Sequence, residues 1–227
     1  MSSLAVNSAL GRTTRFYQTT IGKKVVMAGT GVILFGFVVS HLLGNLQFYL
    51  GSETMDHYAV ALRTMPALLW VARGGLLLAA ILHITASVQL TALKNAARPV
   101  GYVKKTAVQA TWASRTMMWS GPIVLAFLIF HLLHLTWGTV HPNFEELHPY
   151  ENMVNGFRVI PVAIFYVIAV SFLGLHLYHG VWSMFQSVGV NHPRYTPLLK
   201  KFSAYASILL VLGFISIPIA VATGVIS

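Results

Sequence analysis

The run from Val159 to Val188 reads VIPVAIFYVIAVSFLGLHLYHGVWSMFQSV and contains no Asp, Glu, Lys or Arg, yet it carries two histidines, His176 and His179. At about 1.5 Å per residue, a helix of this length exceeds the roughly 30 Å hydrocarbon core of a bilayer. It predicts a membrane-spanning helix with imidazoles inside it. Four similar runs lie outward along the chain, at about Val25 to Leu50, Ala67 to Leu93, Thr116 to Gly138 and Ser203 to Ser227. The expected fold is therefore an all-α membrane protein of five transmembrane helices. Residues 1–24 form an N-terminal segment and 25–227 one membrane domain. The composition agrees: 56% of the 227 residues are hydrophobic, 9% are charged and the mean hydropathy is +0.70, which excludes an ordinary water-soluble domain. The connections are too short to fold separately into a catalytic domain. No cysteine is present, so disulfides, thiolate nucleophiles, iron-sulfur clusters and Cys-based zinc sites carried by this chain are excluded.

Twelve of the fifteen Lys and Arg fall in the N-terminal tail (Arg12, Arg15, Lys23, Lys24), the second connection (Lys94, Arg98, Lys104, Lys105, Arg115) and the fourth (Arg194, Lys200, Lys201). All five acids, Glu53, Asp56, Glu145, Glu146 and Glu151, fall in the first and third connections, near Arg63 and Arg158, and Arg73 alone lies inside a span. The positive-inside rule then predicts a cytoplasmic N-terminus and an external C-terminus. The formal charge of +10 is explained by this topology, because the basic residues form no separate nucleic-acid-binding module. The first run exceeds a signal-peptide core and no Ala-x-Ala site follows it, so it reads as a retained helix.

Ten histidines against five acids is an unusual ratio for a chain of this kind. An imidazole within a bilayer is tolerated only where something satisfies its nitrogens. His41, His83, His131 and His176 each fall in a different one of the first four runs. Counting residues along alternately directed helices places His41 and His131 at one depth, nearer the outside. It places His83 and His176 at another, nearer the cytoplasm, with the levels roughly 10 Å apart. A single such His ordinarily hydrogen-bonds a neighbouring helix, and small residues such as Gly44, Ser87 and Gly180 beside the candidates are common where membrane helices meet. Four histidines matched pairwise in depth point instead to a cofactor: two imidazoles facing each other ligate a haem iron from both sides, and small flanking residues leave room for the macrocycle. His134 and His179, at i+3 from His131 and His176, share their faces and remain alternative ligands on depth alone. His57, His141, His148 and His192 read as solvated residues of connections. A zinc site would gather its ligands at one depth rather than two.

The segments GKKVVMAGTG (22–31), SHLLGNLQFY (40–49), YAVALRTMPALLWVARGGLLLAAILH (58–83), TWASRTMMWSGPIVLAFLIFHLLHLTWG (111–138) and LGLHLYHGVWSMFQSVGVNHP (173–193) give the chain a resemblance, from about Gly22 to the end. It resembles the cytochrome b membrane-anchor subunit of bacterial succinate dehydrogenases and fumarate reductases, in the single-chain, five-helix, two-haem class. The resemblance implies an electron-transfer subunit of a succinate:quinone oxidoreductase in the bacterial cytoplasmic membrane. It also implies two haem b groups, an inner one on His83 and His176 and an outer one on His41 and His131, so that His134 and His179 are not ligands. The implied partners are a flavoprotein and an iron-sulfur protein on the cytoplasmic face, membrane lipid, and menaquinone as electron acceptor near the outer haem. Some fumarate-reducing members carry a glutamate two residues before the fourth His ligand for proton movement, whereas this chain has Gly174 there. The same electron path serves succinate oxidation or fumarate reduction.

A buried guanidinium needs an anionic partner, and a haem propionate is one where no acidic side chain is at hand. Arg73 and Arg115 are the candidates, Arg115 serving equally as a topology residue. Asn45 and Gln47 follow His41 and read as helix-end capping residues that are also able to reach a quinone carbonyl. Two other readings fit less of the sequence. One is the cytochrome anchor of a formate dehydrogenase or hydrogenase. The other is a haem-free transporter using His as proton carriers, although no inverted repeat is visible.

Overall fold

The computed structural model describes residues 11, 14–97 and 112–226. It is 84% helical, with no strand among the described residues, and five of its helices are long and apolar enough to cross a membrane. The chain is a multi-pass membrane protein by this measure. In chain order the helices are α1 (Thr20–Asn45, continued by a 3-10 turn over Leu46–Leu50), α2 (Ser52–Arg63), α3 (Pro66–Ala96), α4 (Trp112–Leu135), α5 (Pro149–Arg158), α6 (Ile160–Ser187) and α7 (Thr196–Ala222). The spans are α1, α3, α4, α6 and α7. Arg12, Arg98, Lys104 and Lys105 lie outside the described residues.

The spans match the apolar runs, with shifted ends that have local causes. Helix α1 starts five residues before Val25 because Thr19 caps it, its hydroxyl accepting from the Gly22 N–H at 2.9 Å, which satisfies one of the first-turn donors. Lys23 is consequently inside the helix, where its Nζ donates to the carbonyls of Tyr17 (3.0 Å) and Gln18 (3.1 Å). Helix α4 stops at Leu135 rather than Gly138, because the chain leaves it through Gly138 at φ 71°, a left-handed position that glycine reaches without strain. Helix α7 begins at Thr196, seven residues before Ser203, with Pro197 in its first turn, where a missing N–H costs nothing.

The first and third connections are not plain turns. Each folds a short helix, α2 and α5, and the two pack on each other at the end of the bundle that holds all the acids, called here the acidic end. Asp56 of α2 accepts from the backbone N–H of Tyr150 (3.3 Å) and pairs with His148 (3.2 Å), while Arg63 bridges to Glu146 at 2.8 Å. A buried cluster follows beneath: Phe48, Met55, Met153, Val154, Phe157, Ala163, Tyr166, Ile217 and Val221. The acids thus do more than mark topology, since Asp56 holds the first turn of α5, where a negative charge is favoured.

Among the spans, α6 packs closely with α7, α4 and α1, and α1 packs closely with α3. The order of neighbours is therefore α3, α1, α6, α4, with α7 behind α1 and α6. Helices α3 and α4 do not pack closely on each other and touch through Thr91 and Met118. Many large apolar side chains face outward, including Ile33, Leu77, Leu78, Ile129 and Leu209, as lipid-facing surface requires.

Candidate functional site: two histidine pairs inside the bundle

The four candidate histidines meet in the two pairs expected from depth counting. The His41 and His131 rings lie 5.8 Å apart between centroids, nearly perpendicular at 83°. The His83 and His176 rings lie 6.3 Å apart at 59°. Each pair joins helices that are two places apart in the row of neighbours, α1 with α4 and α3 with α6, and that do not otherwise pack closely. The imidazoles therefore span gaps that the backbones leave open. The levels are further apart than residue counting suggested. His83 lies beside Thr30 of α1, eleven residues before His41, and His131 lies beside Tyr166 of α6, ten residues before His176. These intervals correspond to about 16.5 and 15 Å of helix rise, not 10.

In each pair one ring is anchored by a hydrogen bond through Nδ1. His83 Nδ1 is 3.1 Å from the Met27 carbonyl and 3.2 Å from the Thr30 hydroxyl. The Thr30 hydroxyl donates to its own helix, to Val26 O at 2.8 Å, so the proton between His83 and these acceptors belongs to Nδ1. That tautomer leaves the Nε2 lone pair free to ligate. His131 Nδ1 is 3.3 Å from the Tyr166 hydroxyl. The partner rings are held by packing: His41 stacks on Phe37 at 5.2 Å and leans on Phe214, and His176 Nδ1 is buried without a hydrogen-bond partner.

Among the described residues no three His, Asp or Glu gather in a way that holds a bare metal ion. Two nitrogens do not complete the four-coordinate shell of a structural zinc. A facing pair of imidazole nitrogens would suit the iron of a haem, which draws its other ligands from the macrocycle. A metal between two imidazole nitrogens at about 2 Å each sets the ring centroids about 6 Å apart, close to both separations. Gly180, one turn from His176, has nothing within 4 Å of where a Cβ would stand, and Ser87, one turn from His83, is exposed. Gly44 serves another purpose: a Cβ there would lie 3.0 Å from the Tyr58 hydroxyl of α2, so it admits the cap rather than a macrocycle.

His134 does not face His41. Its ring is 1% exposed, stacks on Phe130 and lies 4.8 Å from the ring of His141. His141, expected in solvent, is buried: its Nε2 donates to Asn152 O at 2.8 Å and its Nδ1 accepts from Asn143 N–H at 3.1 Å. The turn of α5 that supplies Asn152 could not be placed from the sequence, and it covers His141 together with His134 and Phe144. His57, His148 and His192 are exposed, as expected. The Arg73 guanidinium sits 5.2 Å over the Trp70 ring on an exposed face of α3, and Arg115 is exposed near the start of α4. Among the described residues, neither makes a hydrogen bond or ring contact with a histidine of either pair. Asn45 Nδ2 donates to His41 O at 2.8 Å, a helix-end role. At Gly174, where some fumarate-reducing proteins have glutamate, a Cβ would strike Val211 of α7. That position faces a packed helix and has no room for an acid.

Comparison with known protein families, with curated proteins and with solved structures finds no match. The family resemblance therefore rests on the residues quoted above.

Proposed function

We propose that the chain is the membrane anchor and di-haem cytochrome b subunit of a succinate:quinone oxidoreductase, carrying electrons between an iron-sulfur subunit and a membrane quinone such as menaquinone. The observation that carries this reading is the meeting of His41 with His131 and of His83 with His176 across helices that do not otherwise pack closely. Six-coordinate haem supplies one-electron transfer without an open position for oxygen chemistry. The chain's own part is to present two Nε2 lone pairs per level and to fix them. Met27 O and Thr30 do this for His83, and Tyr166 does it for His131. In this reading Arg73 and Arg115 are partners for propionates, whose charge needs a cation in a low-dielectric setting. The basic end, with Lys94, Arg115, Arg194, Lys200 and Lys201, faces the cytoplasm and docks the flavoprotein and iron-sulfur subunits, and quinone reacts near the acidic end.

Affinity purification of the tagged chain from its native membranes tests this. A flavoprotein and an iron-sulfur protein should co-purify, and succinate should reduce a b-type spectrum. Co-purification of a formate dehydrogenase or hydrogenase catalytic subunit would overturn the assignment. Because the chain has no cysteine, single cysteines near Lys201 and Glu146 report the orientation: they should label from opposite sides of intact cells, the Glu146 position from outside.

A further inference from the structure

The hydroxyl of Tyr166 stands between two imidazoles, 3.3 Å from His131 Nδ1 and 3.0 Å from His134 Nδ1. A phenol carries one proton, so it donates to one of these nitrogens and accepts from the other. The direction is set by what His131 does. A His that ligates through Nε2 keeps its proton on Nδ1, and that Nδ1–H must donate. Tyr166 then accepts from His131 and turns its own O–H toward His134 Nδ1. His134 in turn carries its proton on Nε2, the atom that is buried without a partner.

His134 is closely packed. It stacks on Phe130 at 5.4 Å and 16°, and a Cβ at Gly156 would stand 2.6 Å from its Cε1. Tyr166 is itself fixed by edge-on contacts with Phe127 and Phe157. The orphaned Nε2 of His134 has a cost that a purely structural core would avoid by placing an apolar ring there. We infer that Tyr166 and His134 form a positioning relay that locks the tautomer and orientation of His131, giving the acidic-end pair a polarised, side-chain-supported ligand. This inference rests on the proposal that the pairs ligate haem.

Its sign can be stated. An acceptor on Nδ1–H makes the imidazole a stronger electron donor, which favours the oxidised metal. Removing the acceptor should raise the midpoint potential of the acidic-end haem alone. Tyr166→Phe keeps the ring and its packing and deletes only the oxygen. His134→Asn is the conservative variant, because its side-chain oxygen takes the place of Nδ1 as acceptor for the Tyr166 hydroxyl.

The test is a potentiometric titration of wild type, Y166F and H134N, read optically with haem counted per chain. Two haems are expected in all three proteins, with one potential raised in Y166F, the other unmoved, and both near wild type in H134N. Two haems with neither potential moved in Y166F would overturn the relay while leaving the di-haem reading intact. So would equal displacement of both potentials, or an H134N shift as large as that of Y166F. A wild-type protein without haem would overturn the reading and the relay together.

Discussion

The two ends of the bundle hold equivalent histidine pairs in unequal surroundings. At the acidic end, His131 and His41 sit beneath a packed cap of α2 and α5, and the anchoring partner of His131 is a side chain, Tyr166, backed by His134. At the other level, His83 is anchored mainly by a backbone carbonyl, Met27 O, with Thr30 beside it, and His176 Nδ1 has no partner. A carbonyl in a helix is fixed by the fold and survives side-chain substitution. A phenol can be removed. The acidic-end pair should therefore be the tunable one and the other the robust one.

The largest effect that separates the ends is removal of a ligand. His131→Ala should abolish the acidic-end haem and spare the other, and His176→Ala should do the reverse, both read from redox-resolved spectra. His134→Ala and His179→Ala should retain both haems. If either of these eliminates a haem while its neighbour's replacement spares it, the ligand assignment at that level is wrong.

Next in size is Gly156→Ala. A methyl group 2.6 Å from His134 Cε1 and 3.1 Å from His141 Nε2 overpacks the cap, at about 1–3 kcal/mol, and should lower the melting temperature in detergent and loosen the acidic-end haem first. Gly180→Ala, with nothing within 4 Å, should leave apoprotein stability unchanged. Equal melting temperatures for the two variants would contradict the tight cap.

A smaller effect is expected for Thr30→Val. His83 keeps its bond to Met27 O, so its haem should be retained with a potential shift smaller than that of Y166F. A larger shift would reverse the proposed contrast between the levels. Smallest is Arg63→Ala. Its bridge to Glu146 joins side chains that are 42% and 77% exposed, and such pairs contribute below about 1 kcal/mol, so thermal unfolding should barely move.

The spans were legible because a bilayer demands long uncharged runs, and the pairing of the histidines was legible because helix rise is constant. The cap was not. Helices α2 and α5 are short and mix polar with apolar residues, so their sequences carry no signal of membrane length, and their stability comes from packing on each other, α2 also on the 3-10 turn and α5 also on α6 and α7. The burial of His141 depends on that cap and was invisible for the same reason. Tyr166 did leave a trace: it lies seven residues into its run from Val159, as His131 lies seven residues from Gly138, so both are at one depth. A phenol at that depth needs a polar partner, and this depth match was the available signal.

The most direct measurement of the central claim is the haem content of the purified chain, taken from a dithionite-reduced minus oxidised spectrum calibrated against protein. Two b-type haems per chain, each lost singly with one member of its histidine pair, is the result this account predicts. A ratio near one, or two haems that survive replacement of each of His41, His83, His131 and His176, would contradict it.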